Sequence, residues 1–123
     1  MIVYVKTQEL SPGITAMTFT GRLIRGNKWN DIEYVIRERI QQGLRNLVLD
    51  FSDLSYIDSA GIGFIAVCLG LMDKAGGRVA VAGATGHVKE LLEMTHLDQV
   101  AVIYPDLASA HGALSATATP PQD

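Results

Sequence analysis

The sequence predicts an α/β domain, with a mixed sheet of four to five strands that opens on a hairpin and is flanked by about four helices. Two β-rich runs, residues 2–7 and 14–20, surround the turn signal Ser11-Pro12-Gly13 and read as an antiparallel hairpin. Short apolar runs then alternate with helix-length segments. The 123 residues are 48% apolar and 19% charged, the composition of one globular domain that buries a core without disulfide or metal staples.

The elements follow in order. Residues 27–42 carry Ile32, Val35, Ile36 and Ile40 at the i, i+3, i+4, i+8 spacing of an amphipathic helix, and Gly43 supplies a stop. Residues 47–51, Leu-Val-Leu-Asp-Phe, form a short apolar strand of the kind buried on both faces. A loop is expected over 52–57, then a second helix over 60–75 that ends at Gly76-Gly77. A strand at 79–82 leads to a third helix at 87–94, with Val88, Leu91 and Leu92 on one side. A last strand at 100–104 precedes a short helix over 106–114. The domain is expected to span 1–114; residues 115–123 have no apolar anchor and read as a disordered tail.

Charge and composition exclude several functions. The net charge is −3 and no Lys/Arg cluster is present, so nucleic acid is not an expected partner. The single cysteine, Cys68, lies within an apolar run and reads as a buried thiol in a reducing compartment. The N-terminus lacks the pattern of a signal peptide. The longest uncharged run, residues 60–72, falls short of the roughly 20 residues that span a bilayer. The expected location is cytoplasmic, without membrane insertion.

The most informative stretch is Asp58-Ser59-Ala60-Gly61-Ile62-Gly63, between the strand at 47–51 and the second helix. The first N–H groups of a helix lack internal partners and the helix dipole favours negative charge there, so Ser59 is well placed to carry a phosphate. A simpler reading is that Ser59 or Asp58 merely caps the helix. Gly61 and Gly63 suit either close approach by a partner or tight packing of the first turn. The helix beyond is apolar on nearly every side, through Ile62, Phe64, Ile65, Ala66, Val67, Cys68, Leu69, Leu71 and Met72. Such a helix on a sheet leaves an outward apolar face, which suits docking. Thr85 is expected to cap the third helix, with His87 bordering the docking surface, and Trp29 to pack in or at the edge of the core.

Enzymatic readings fail. Gly61-x-Gly63-x-x-Ala66 matches a loose dinucleotide fingerprint, but it lies well beyond its strand, and Gly83 stands where a ribose-binding acid belongs. Ser59 lacks the preceding glycine of a nucleophile elbow. His87, His96 and His111 are scattered, and with one cysteine no spaced zinc ligand set arises.

Together the element order and motifs resemble the STAS domain, specifically the stand-alone anti-sigma-factor antagonists of bacteria. The resemblance runs from Ile2 to about Leu114. It rests on Gly21-Arg22-Leu23, on Leu47-Val48-Leu49-Asp50 followed by Leu54-Ser55-Tyr56-Ile57, and on Asp58 through Gly63. Gly76-Gly77-Arg78-Val79 and Val88-Lys89-Glu90-Leu91-Leu92 add to it.

The resemblance implies the STAS fold and a binding protein, with no catalytic residue, cofactor or metal. It makes Ser59 the phosphorylated serine. The unphosphorylated family protein binds an anti-sigma factor that is itself a serine kinase of the histidine-kinase-like ATPase fold, which frees the sigma factor. Phosphorylation breaks that complex and a PP2C-type phosphatase resets it. Partner contacts are expected from Asp58, Ala60, Gly61, Ile62, Gly63, Ala66, Ile24 and Thr85. Ile24, followed by Arg25, stands where many antagonists have an acid, which exchanges a negative charge for apolar surface. The alternative is a constitutive STAS subunit, as in a lipid-trafficking ABC transporter or a stressosome-like scaffold, using the same helix without a reversible phosphate. The sequence leaves the oligomeric state open.

Overall fold

The computed structural model describes residues 3–26 and 29–118. The chain runs β1 (Val3–Ser11), β2 (Ile14–Leu23), α1 (Trp29–Gln41), β3 (Asn46–Ile57), α2 (Ser59–Lys74), β4 (Arg78–Ala82), α3 (Gly86–Met94), a 3-10 turn (Leu97–Gln99), β5 (Val102–Tyr104) and α4 (Leu107–Ala118). The five strands lie in the order β1-β2-β3-β4-β5. The opening hairpin is antiparallel and turns at Gly13, whose φ of 82° suits glycine; every later pairing is parallel. The expected mixed sheet is thus present. Ile2 and Asn27, the expected first residues of the hairpin and the first helix, lie outside the described residues, as does the chain beyond Ala118.

The two faces of the sheet are covered unequally. On one face α1, α2 and α3 bury Ile36, Phe64, Ile65, Cys68, Val88 and Leu92 against Phe19, Leu47, Leu49 and Phe51. On the other, α4 sets Ala110 and Leu114 against Ile14, Ala16, Val48, Ala80 and Ala82. Residues 47–51, apolar except for Asp50, are accordingly buried on both sides. Asp50, in that stretch, is buried but satisfied: its carboxylate accepts from Thr18 Oγ1 at 3.2 Å, Ser52 N at 3.1 Å and Ser52 Oγ at 2.7 Å. Trp29 packs edge-on to Phe64, with centroids 4.7 Å apart, and so locks α1 to α2.

Three expectations are corrected. The loop expected over residues 52–57 is strand: β3 continues to Ile57 because β2 keeps pairing with it, Thr20 with Asp53 through Leu23 with Ile57. Register shifts after Thr18 and Gly21 put Leu54 and Ile57 inside at a spacing of three, which hides the usual alternation. The last strand begins at Val102, not at Val100. The last helix begins at Leu107, not at residue 106, and runs past Leu114 to Ala118, so residues 115–118 are not tail. Asp106 caps that helix, accepting from Ser109 N at 2.7 Å, and His111 Nε2 lies 3.2 Å from Ser11 Oγ.

Cys68 is fully buried. Burial, with a smaller push from Glu33, raises its thiol pKa to about 12, so little thiolate forms at neutral pH. A thiol reagent such as DTNB is expected to label Cys68 only after denaturation; fast labelling of the native protein would contradict this burial.

Candidate functional site

Because β2 through β5 are parallel, their carboxyl ends lie at one end of the sheet, and the connections into α1, α2, α3 and α4 all start there. In open α/β sheets this end is where partners and ligands gather. The motif at residues 58–63 sits at its centre.

Asp58 is the N-cap of α2, with φ −108° and ψ −174°. Its Oδ1 accepts from Gly61 N at 2.9 Å and its Oδ2 from Arg25 N at 3.1 Å, while its own N–H donates to Leu23 O at 3.3 Å. One carboxylate therefore ties the β2–α1 connection, which carries Ile24, to the start of α2. Desolvation pushes the Asp58 pKa upward, but the N–H groups of Gly61, Arg25 and Ala60, helped by the Arg25 charge, outweigh it and hold the pKa below its usual 3.8.

A depressed pKa contributes stability that is present above the unfolded value and lost as pH falls through the folded one. Asp58→Ala is expected to cost about 1 kcal/mol at neutral pH, the size of a lost helix cap. In urea melts its deficit relative to the parent protein should shrink steadily as pH drops below 3.8. A deficit independent of pH would show that the carboxylate charge contributes nothing.

Since Asp58 takes the capping role, Ser59 does not. Ser59 is the first residue of α2, is exposed, and its hydroxyl makes no hydrogen bond to another described residue. The two glycines also part company. A Cβ on Gly61 would run into Leu23 O and come within 2.6 Å of Ile57 Cγ1, so the absence of a side chain there serves packing. A Cβ on exposed Gly63 would meet nothing within 4 Å. Ala60 and Ile62 are half-buried, and Ala66 and Val67 are exposed. The expected outward apolar face of α2 is thus present, formed by Ile62, Gly63, Ala66, Val67 and Gly70, with no charged residue before Asp73.

Thr85 occupies the N-cap position of α3, as expected, but its side chain makes no capping hydrogen bond and is exposed. The β4–α3 connection is instead held through His87, whose Nε2 lies 3.0 Å from Ile57 O and so donates to it. This brings Thr85 and His87 to the residue just before Asp58. Of the eight expected contact positions, Asp58 and Gly61 are joined by a hydrogen bond, Ile24 lies between Leu23 and Arg25, which both bond Asp58, and Ala60, Ile62, Gly63 and Ala66 follow one another along α2.

Neither Tyr56 nor Arg22 is among the expected contact positions, although both lie in stretches that carry the resemblance. The Tyr56 ring stacks on His87, with centroids 4.7 Å apart and planes 10° from parallel, and Arg22 Cζ lies 5.9 Å from the Tyr56 centroid. Tyr56 is 42% exposed, so this stack forms a surface beside the motif. No local signal marks it, because it depends on the parallel pairing of Arg22 with Tyr56. Among the described residues no group of three His, Cys, Asp or Glu side chains could hold a metal, and no helix is long and apolar enough to cross a membrane.

Comparison with known proteins bears on this arrangement. The model of the STAS domain matches residues 6–110. A candidate anti-sigma factor antagonist of Thermotoga maritima is 30% identical over 78 residues, which cover 63% of this chain and 69% of that protein. The unphosphorylated form of the anti-sigma factor antagonist SpoIIAA has a similar fold, with TM-score 0.76 at 15% identity over 96% of this chain and 100% of the other. So does the phosphorylated form of SpoIIAA from Bacillus, with TM-score 0.70 at 16% identity over 93% and 99%. A sheet that opens on a hairpin, an aspartate-capped helix behind its central strand, and a family match over most of the length lead to one assignment: this chain belongs to the STAS-domain family, among the anti-sigma factor antagonists.

Proposed function

We propose that this protein is a phosphorylation-switched binding protein rather than an enzyme. Its unphosphorylated form binds an anti-sigma factor that is also a serine kinase of the histidine-kinase-like ATPase fold, and the sigma factor is released. Phosphorylation of Ser59 switches that binding off, and a PP2C-type phosphatase restores it. In the transfer, Ser59 Oγ takes the γ-phosphoryl group of ATP, ADP departs and the hydroxyl proton is lost.

The observation that carries the reading is the division of labour at the start of α2. Asp58 caps the helix, which leaves the Ser59 hydroxyl exposed and unengaged. A phosphoserine adds about −1.5 to −2 charges. At the first helical residue that charge gains from the helix dipole, so the fold tolerates it. At a docking face made of Gly63, Ile62 and Ala66 the same charge must be desolvated, so the complex does not tolerate it. A binding switch can thus act without unfolding either partner.

The test is affinity capture from host lysate with ATP or ADP, using Ser59→Ala and Ser59→Asp baits and mass spectrometry. Recovery of a histidine-kinase-like ATPase by the alanine bait alone is the expected result. The same partner on both baits, or a transporter subunit on either, would overturn the switch in favour of a fixed structural role.

A further inference from the structure

The start of α2 is met by a cation from the β2–α1 connection. We propose that Arg25 receives the phosphate: once Ser59 carries a phosphoryl group, the Arg25 guanidinium pairs with it and closes the β2–α1 connection over the first turn of α2. The proposal rests on the reading that Ser59 is the modified residue, and it names what holds the modification.

Three observations carry it. First, Arg25 is fixed in place through its backbone. Its N–H donates to Asp58 Oδ2 at 3.1 Å, and Asp58 N donates to Leu23 O at 3.3 Å, so the connection is bonded at two points to the residue that precedes Ser59. Changing the Arg25 side chain removes neither bond. Second, the guanidinium lies near enough to Asp58 for its charge to help hold that carboxyl below its usual pKa. Consecutive Cα atoms are about 3.8 Å apart, so a cation that acts on residue 58 acts on a group at residue 59 as well. Third, both groups are available. Arg25 and Ser59 are exposed, Arg25 forms no ion pair with another described residue, and the Ser59 hydroxyl makes no hydrogen bond to one. The neighbouring cationic side chains are placed otherwise: Arg22 lies beside the Tyr56 ring, and His87 Nε2 donates to Ile57 O.

Without Arg25, Asp58 would make this a poor place for a phosphate. Its charge is spread over the N–H groups of Gly61, Arg25 and Ala60 but is not cancelled, and a phosphoserine adds about −1.5 to −2 more beside it. A guanidinium presents a planar fork that matches two phosphate oxygens at once. Closed on the phosphate, Arg25 offsets the repulsion and is itself withdrawn from any partner. The modified state is then an ordered surface of its own, not the unmodified surface with a charge added. Ser59→Asp reproduces the repulsion without the clamp.

The experiment places phosphoserine at residue 59 of the full chain during translation, so no kinase is needed. The second ionisation of the phosphate, about pH 6 for a free phosphoserine, is followed by 31P NMR, with folding checked by circular dichroism. Removing a nearby cation disfavours the dianion, so Arg25→Gln is expected to raise that pKa by about 0.3–0.7 unit relative to the parent. Arg25→Lys, which keeps the charge, should fall between the two, and Arg22→Gln should leave the value unchanged. Asp58 and His87 are present in every variant, so the differences isolate the arginines. At about 1 M salt, where screening acts within about 3 Å, the gap between parent and Arg25→Gln should narrow. Equal values for the parent and Arg25→Gln, a lysine variant no different from glutamine, an equal shift from Arg22→Gln, or a gap indifferent to salt would each overturn the assignment. Failure here leaves the capture of a kinase untouched, and failure of that capture leaves this measurement intact.

Discussion

Gly61→Ala is expected to destabilise the domain by about 2–3 kcal/mol or to prevent folding, while Gly63→Ala, two residues along the same helix, is expected to stabilise it by up to about 1 kcal/mol. The contrast follows from what each new methyl group meets. At position 61 it strikes Leu23 O, a backbone atom of the central sheet, and lies 2.6 Å from Ile57 Cγ1. Neither neighbour can move aside, since Leu23 O is a backbone atom that also accepts from Asp58 N and the Ile57 side chain is fully buried in the core. The helix would have to lift from the sheet, which breaks the Asp58–Gly61 cap as well. At position 63 the methyl enters open space and simply removes backbone entropy from the unfolded chain. Urea melts of both variants check the pair. Equal destabilisation would mean that α2 does not sit on β2 and β3 as described. Gly63→Ala has a second expected effect of opposite sign: if a partner approaches the exposed first turns of α2, affinity should fall while stability rises.

Ser59→Asp is expected to remove partner binding almost completely and to move the unfolding free energy by no more than about 0.5 kcal/mol. The two effects differ in size because of where the charge sits. In the free protein residue 59 is exposed at the first position of α2, where an acid gains about 0.3–1 kcal/mol from the helix dipole. That gain offsets the entropy of ordering a longer side chain. In a complex the carboxylate would be buried against a partner, without water, beside Asp58, whose two oxygens are already committed to backbone N–H groups. An uncompensated charge at an interface costs about 2–5 kcal/mol. Calorimetric titration of the captured ATPase into the Ser59→Ala and Ser59→Asp proteins, alongside thermal melts of both, measures the two effects together. A drop of more than about 1 kcal/mol in folding stability would make Ser59 a structural cap after all.

Much of this architecture could be read from the chain directly, and the failures have physical causes. The amphipathic stripe of α1 and the apolar runs of β3 and β4 are local patterns, since the period of burial is set by the element itself. The second half of β3 was invisible because its six residues, Ser52 through Ile57, are polar wherever they face water and are strand only because β2 lies alongside. The tail assignment stopped at Leu114 because Ser115, Ala116 and Thr117 look indifferent; they are helical because Asp106 starts the helix and Ala110 and Leu114 anchor it to the back of the sheet.

At the candidate site the sequence by itself determined the ingredients: an acid, a serine and two glycines at the start of an apolar helix, in an order that carries the family resemblance. Only the tertiary structure decided who does what. Asp58 or Ser59 could each cap a helix, and either glycine could serve packing or access. Those choices are made by atoms far away in the chain: Arg25 N, which claims the second oxygen of Asp58, and Leu23 O, which leaves no room for a side chain at residue 61. A linear pattern records which groups are available, whereas the approach of β2 to the start of α2 determines which of them remain free for a partner.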